Sequence, residues 1–250
     1  MELSATGWQM ADGRRWRASC CQLLSAICLV FGCATEPDAE VVPASVMWME
    51  WPAEVLAAEP FTVRLVGFGA ECREVLRFET EPSVDQSAVT FEPYFVVSTR
   101  QQPCPLRELE PPPGTVIPYP SYFDTRAPVP ALTPTVPRSY EMRAATQQFP
   151  GGAEPTVRTF GDILVRSDIA DRGRTAVGGQ GYAFRDSLGC LRITPLGAAA
   201  GYVVENPPDT TSYWTGFVRG HVHPVPVPVC GERRVIRLEW VGEGPLPSAV

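Results

Sequence analysis

The sequence predicts an all-β protein in which an immunoglobulin-like sandwich is followed by a small β-barrel, OB-like as our first choice, or by a second sandwich. Glycine (21) and proline (27) make up about a fifth of the 250 residues, a share typical of short strands and many turns. Short apolar runs alternate with polar residues at every second position, and no apolar pattern of helical period is sustained after residue 40. With 44% hydrophobic residues, the chain has enough apolar surface for a core.

Residues 45–147 are predicted to form the sandwich domain. Short runs rich in β-branched and aromatic residues recur about every ten residues, which favours this architecture, although the Cys–Trp–Cys pattern of true immunoglobulin domains is absent. One run places Phe61, Val63 and Leu65 on the core side and Thr62, Arg64 and Val66 on the outer side. The strands predicted in this half are 46–55, 61–68, 75–80, 88–91, 94–100 and 139–145.

Eleven prolines lie between Pro103 and Pro137. Proline lacks the backbone N–H that a sheet interior requires, so this stretch cannot be interior sheet for long. We expect an extended loop wrapped over the sandwich, with one brief strand near 121–125. A polyproline ligand for another protein is the alternative interpretation.

Residues 148–156 are predicted to be a linker, residues 157–243 a small β domain and residues 244–250 a tail. Gly178, Gly179 and Gly181 stand where a tightly curved strand needs residues without side chains. Asp186-Ser187-Leu188-Gly189 is typical of a β-turn. The strands predicted in this half are 157–167, 178–184, 188–195, 202–205, 213–223 and 233–241.

The first 32 residues have the pattern of a secretory signal. Arg14, Arg15 and Arg17 precede an apolar run of 15 residues, 18–32, whereas a membrane-spanning helix needs about 20. A positive start followed by a short apolar stretch and small residues indicates a signal peptide over residues 1–32.

Leu29-Val30-Phe31-Gly32-Cys33 resembles the lipobox of bacterial lipoproteins. The resemblance implies that Cys33 carries the lipid and becomes the mature N-terminus, with residues 33–44 as a tether. It also implies anchoring to a membrane of the cell envelope, on the periplasmic or extracellular side. A plain cleaved signal and a retained anchor are the alternatives.

After removal of the leader and lipidation of Cys33, four cysteines are left: Cys72, Cys104, Cys190 and Cys230. An even number in an exported chain predicts two disulfides. Three connectivities fit the sequence, and we favour the local one, Cys72–Cys104 with Cys190–Cys230. Paired C-x-x-C spacing is absent, which argues against a structural zinc site.

The charge pattern limits the partners and the chemistry. The formal net charge is −7, and loss of three arginines and two acids with the leader makes it −8. An acidic chain without a basic stripe argues against nucleic acid as a partner. The sequence contains no lysine, which excludes lysine Schiff-base chemistry, P-loop lysines and Ser-Lys dyads.

His221 and His223 are the only histidines, and in a strand they would share one face with Phe217 and Arg219. They are a weak candidate for a metal site, which would need a further acidic ligand. Two exposed histidines at a strand end are the interpretation we favour, so we expect no metal.

Two other sets of residues could carry a site. Aromatic residues in strands could form a carbohydrate-stacking platform, although aromatic residues in strands more often belong to the core. The candidates are Trp48, Trp51, Trp214 and Trp240. Three acids suggest calcium only weakly, because their spacing does not match an EF-hand loop: Asp162, Asp168 and Asp171.

No catalytic constellation is assembled by the sequence motifs, so we predict no catalytic residues and no cofactor. The expected function is a non-catalytic binding or scaffold module of the cell envelope, with a protein or carbohydrate ligand. An envelope hydrolase that cleaves glycans with paired carboxylates is the alternative. A structural subunit of a larger envelope complex is a third hypothesis.

Overall fold

A computed structural model describes residues 39–69, 73–101, 106–109, 115–118, 121–146, 156–168, 174–195, 198, 201–207, 213–223, 227–228, 230–231 and 234–241. These residues form strands, turns and connecting segments without a helix, so the predicted all-β class is confirmed. Within the described residues the strands are β1 (Ala39–Pro52), β2 (Glu54–Leu56), β3 (Phe61–Gly69), β4 (Arg73–Glu79), β5 (Pro82–Val84), β6 (Ala88–Phe91), β7 (Tyr94–Gln101), β8 (Leu106–Leu109), β9 (Thr115–Pro118), β10 (Ser121–Val129), β11 (Arg138–Thr146), β12 (Thr156–Arg166), β13 (Thr175–Arg185), β14 (Leu191–Pro195), β15 (Tyr202–Val204), β16 (Tyr213–His223) and β17 (Val235–Val241).

Five strands close into a barrel. They follow the order β13-β14-β15-β17-β16, and β16 pairs back onto β13. All the pairs are antiparallel except β15 with β17, which is parallel. The closed five-stranded order, in which β15 and β17 are parallel, agrees with the OB-like barrel that the sequence predicts.

The sandwich consists of two facing sheets. One is the continuation of the barrel sheet through β1, β3 and β10, with β7 paired to β1 and β4 paired to β7. The other has the order β2-β12-β11-β6-β5. Their side chains share one core, to which Val46 and Leu65 contribute from the first sheet and Met142 and Ile163 from the second. The pairing of two layers through one apolar core is the sandwich arrangement.

Strand β1 joins the sandwich to the barrel. It pairs with β7, β3 and β13 along its length. Because successive side chains of a strand point to opposite faces, Met49 lies in the sandwich core and Trp48 in the barrel core. A register shift between Val46 and Trp48 places Met47 in a third, smaller cluster.

The predicted division into domains at 45–147 and 157–243 is a poor description of these sheets. Residues Ala39–Val250 form one compact unit. Strand β12, assigned from the sequence to the second domain, pairs with β11 of the sandwich, and β13 of the barrel pairs with β1. The backbone hydrogen bonds that cross the predicted boundary make the two halves parts of one sheet system.

Two further expectations are corrected in detail. Residues 39–44, predicted to belong to the tether, form the start of β1 and pair with β7 and β3. The proline-rich segment contains β8, β9 and the nine-residue β10 instead of one brief strand. Strand β10 ends the strand order at one edge, where Pro128 needs no partner for its missing N–H.

Candidate functional site

A cleft of about 360 Å³ lies where β12 of the sandwich meets β13, β16 and β17 of the barrel. This volume falls within the usual range of small-molecule sites. The polar side chains in its wall belong to Asp162, Arg219, His221 and Glu239, and the aromatic ones to Trp51 and Phe160.

Trp51 is held in the wall of the cleft by its surroundings. Its indole Nε1 donates a hydrogen bond to the backbone oxygen of Asp162 at 3.0 Å. Its ring lies against Gly161, where an added Cβ would come within 2.7 Å of Cζ2. Glycine at this position is what lets the indole ring pack directly against β12.

Strand β16 supplies one wall through the face that the sequence predicts. Phe217, Arg219 and His221 alternate along the strand, and Phe217 packs in the sandwich core while Arg219 and His221 line the cleft. Val218, between them, belongs to the barrel core. The predicted shared face is therefore confirmed for these three residues.

His221 is oriented by a carboxylate of the neighbouring strand. Its Nδ1 lies 2.6 Å from Oε1 of Glu239, and Arg174 Nη2 lies 3.2 Å from the same oxygen. Arg174 Nη2 also lies 3.0 Å from Nδ1, but a guanidinium only donates, so Nδ1–H cannot serve both partners. The short contact to a carboxylate favours Nδ1–H donating to Glu239, which fixes the ring.

A carboxylate–histidine pair resembles the base and its orienting group in nucleophilic catalysis. The cleft wall contains no serine, threonine or cysteine among its described residues, so this pair has no nucleophile beside it. The arrangement is suited to holding a polar group in place.

Two arginines lie together beside the cleft. The guanidinium carbon of Arg158 lies 4.1 Å from the centroid of the Phe217 ring. Arg219 Nη2 donates to the backbone oxygen of Thr159 at 3.1 Å. Partial burial of the Arg158 guanidinium and, after it, the like charge of Arg219 lower the pKa of Arg158.

A second polar cluster connects sandwich and barrel. Arg64 forms a bidentate pair with Asp124, at 2.7 and 2.6 Å, and also binds Glu50. Tyr202 donates its hydroxyl proton to Glu50, and Arg234 stacks on the Tyr202 ring at 4.5 Å. The balance of two arginines and two acids, all paired, indicates that this cluster fastens the barrel to the sandwich.

The chemistry of this cluster keeps Tyr202 protonated. Burial, followed by the charge and hydrogen bond of Glu50, raises the pKa of Tyr202 well above its usual value. The hydrogen bonds to Asp124 raise the pKa of Arg64, and the same contact lowers the pKa of Asp124. Each group therefore keeps the charge state that its partner needs.

The cysteine prediction is confirmed where the structure describes it. Cys190 and Cys230 form a disulfide with a Cα–Cα distance of 6.0 Å. Cys33, Cys72 and Cys104 lie outside the described residues, so lipid attachment and the second bridge stay predictions.

The turn predicted before Cys190 is present. The carboxylate of Asp186 accepts the backbone N–H groups of Leu188 and Cys190, each at 3.0 Å. It also binds Arg192 at 2.8 Å, and Gly189 closes the turn with a φ of +79°.

The aromatic platform does not form from the tryptophans that the structure places. Trp48 is 0% exposed and Trp51 is 2% exposed, so both are core residues. Trp214 belongs to β16 and Trp240 to β17, but their side chains are not among those that the structure describes.

The metal hypothesis gains no support from the described residues. Among them no group of three or more histidine, cysteine, aspartate or glutamate side chains is placed to hold an ion. His221 is bound to Glu239, the side chain of His223 is outside the description, and so is Asp171. Asp162 on β12 and Asp168, which follows β12, are both exposed.

Sequence reasoning missed Glu239, Arg174 and Arg158. The alternation of Arg237 and Glu239 along β17 was the available signal for a charged outer face. Which strand that face meets depends on the β16–β17 pairing, with its register shift between Arg219 and Gly220. That pairing is a tertiary property.

Comparison with protein-family models, curated proteins and solved structures finds no match for this chain. In the described part of the chain, no helix has the length and apolar character needed to cross a bilayer. The site itself therefore carries the functional argument.

Proposed function

We propose that this chain is a lipid-anchored exported β protein that acts as a non-catalytic binding module of the cell envelope, with the β12–barrel cleft as its ligand site. The observation that carries the proposal is the cleft, whose volume suits a small ligand and whose wall has both charge signs. The Cys190–Cys230 disulfide supports an oxidising compartment. The lipobox-like segment ending at Cys33 supports the anchor.

The wall composition favours a small ligand rich in hydroxyl groups, as in a carbohydrate. Phe160 and Ala176 are buried beneath the cleft, and Arg219, His221 and Asp162 supply polar groups around it. A few oriented polar groups in a mostly preformed cleft give orientation and specificity. His221 is oriented before binding by Glu239, so the ligand does not have to order it.

One observation favours the alternative function, glycan hydrolysis. Asp162 and Glu239 both line the cleft, and hydrolysis needs two carboxylates that flank the scissile bond. Glu239 is bound to His221 and Arg174, an arrangement that holds its carboxylate in place for orienting the imidazole. The binding function is the one that accounts for all four polar residues of the wall.

We expect Asp162→Trp to block the cleft and weaken oligosaccharide binding by about tenfold or more, equal to 1.4 kcal/mol. Asp162 is exposed at the wall, so the large ring would occupy ligand space without disturbing the core. The measurement is the shift of the Trp51 indole N–H resonance during titration with chitotriose and with trigalacturonate.

Asp168→Trp is the matched control, because Asp168 is also exposed and follows the same strand but does not line the cleft. The buried Trp48 indole should not respond. A Trp51 signal that no probe shifts, or that shifts equally in Asp162→Trp, would contradict binding at the cleft. Release of reducing ends that Asp162→Asn abolishes would replace binding by hydrolysis.

Intact mass of the purified protein tests the envelope part of the proposal. We expect a chain that begins at Cys33 with added lipid mass, and a gain of two hydrogen atoms per disulfide on reduction. A chain that begins elsewhere, or a mass that reduction leaves unchanged, would contradict it.

A further inference from the structure

Arg158 is a surface guanidinium that is fixed in place but has no acceptor. The residue is exposed, and one face of its guanidinium is covered by Phe217 at 4.1 Å. Its guanidinium makes no hydrogen bond or ion pair with any residue that the structure describes. A guanidinium has five N–H donors, so this side chain presents an unused fork of donors.

Stacking on Phe217 prepares this fork for a ligand. Phe217 is itself fixed by an edge contact with Phe160, whose ring lies 5.3 Å away in the cleft wall. A cation over an aromatic face is attracted by the ring, so Arg158 loses part of its freedom before any ligand arrives. Less conformational entropy is then lost on binding.

The neighbouring charges add to the attraction for an anion. Arg219 is close enough to Arg158 to lower its pKa, although like charges normally separate at a surface. The carboxylate of Glu141, on the neighbouring strand β11, is already bound by Arg143 at 2.7 Å and by the Thr159 hydroxyl at 3.2 Å. Glu141 and Glu239, two of the acids around the cleft, are therefore already bound to other groups.

We infer that Arg158 and Arg219 bind an oxyanion group of the ligand, a carboxylate or a phosphate, at the edge of the cleft. This inference rests on the proposed binding function and narrows its ligand to an acidic one. Planar guanidinium forks match the geometry of carboxylate and phosphate oxygens. An anion between the two arginines relieves their mutual repulsion, and Arg219 links the anion position to the cleft that it lines.

The test uses the full mature chain and four probes at constant ionic strength: inorganic phosphate, glucuronate, glucose, and vesicles of phosphatidylglycerol. Binding of each probe is measured by calorimetry, with phosphatidylcholine vesicles as the neutral reference. We expect phosphate and glucuronate to bind at millimolar concentration and glucose to bind more weakly. Arg158→Gln should weaken phosphate and glucuronate binding by about tenfold, because a charged hydrogen-bonded contact is lost.

Arg126→Gln is the control, since Arg126 is an exposed arginine on β10 and the substitution makes the same change in net charge. Arg158→Lys should bind more weakly than the wild type but more tightly than Arg158→Gln, because it keeps the charge and loses the fork. Binding to phosphatidylglycerol vesicles that depends on Arg158 would identify a lipid headgroup as the source of the oxyanion. Absence of that dependence would identify a soluble one.

Equal phosphate binding by Arg158→Gln and the wild type, or no phosphate or glucuronate binding at all, would overturn the inference. If chitotriose still binds at the cleft in that case, the proposed function stands without the oxyanion site. If the oxyanions bind through Arg158 and no oligosaccharide binds, the oxyanion site stands and the carbohydrate ligand is rejected.

Discussion

Replacement of Gly179 by alanine is expected to lower the free energy of unfolding by about 3 kcal/mol or more. Gly179 has a φ of +150°, which side chains rarely adopt. An added Cβ would lie 2.2 Å from the backbone oxygen of Met47 and 2.6 Å from Cα of Trp48. Because both contacts are to backbone, the alanine fits only if β1 and β13 separate. Denaturant unfolding measures the loss.

Gly189→Ala is the control that measures backbone strain alone, without the close contact between β1 and β13. Gly189 has a φ of +79°, and nothing lies within 4 Å of its added Cβ. It should therefore cost only the strain of a left-handed residue, about 1–2 kcal/mol. Similar losses for the two variants would mean that the contact between β1 and β13 does not limit stability.

The glycines of β13 also shape the cleft. Gly178, next to Gly179, would place a Cβ 2.3 Å from the backbone oxygen of Phe160, which lines the cleft. Strands β12 and β13 therefore approach closely here only because glycine occupies this position. We expect Gly179→Ala to weaken ligand binding as well, since β13 carries part of the cleft wall.

Removal of the Cys190–Cys230 disulfide by the double replacement Cys190→Ala and Cys230→Ala is expected to cost about 4 kcal/mol. The bridge spans 40 residues, and the chain-entropy model gives this value for a loop of that length. The bridge leads into β14 and lies shortly before β17. Its loss frees the segment that must return to pair with β15 and close the barrel.

The disulfide effect is measured by denaturant unfolding of the double variant beside the oxidised wild type. Gly231→Ala controls for local backbone effects, because Gly231 follows Cys230, has a φ of +64° and has open space around its added Cβ. It should cost about 1–2 kcal/mol. A double variant within about 1 kcal/mol of the wild type would show that the reduced chain is already ordered between these positions.

Local patterns were reliable for the strands and for single faces. Phe61, Val63 and Leu65 are buried as period-two alternation predicts. Val66, predicted to face outward, is also buried, because the barrel covers the second face of β3. Alternation reports which side chains share a face; it does not report whether another layer covers the opposite face.

The residues of the candidate site were also predicted only in part from the sequence. The pairing of Arg219 and His221 on one face followed from residue spacing along β16. Glu239, Arg174 and Arg158 come from other strands and segments, and nothing in their local sequence marks them as neighbours of that face.

The sequence by itself determined the all-β class, the positions of the long strands and the turn at Asp186. These properties depend on residues close in the chain, since side-chain alternation and backbone conformation act locally. Only the tertiary structure decided that β1 and β13 pair, that sandwich and barrel form one unit, and that a cleft lies between β12 and the barrel. Strand pairing joins residues far apart in sequence through backbone groups that every residue carries, so side-chain patterns do not encode the partner.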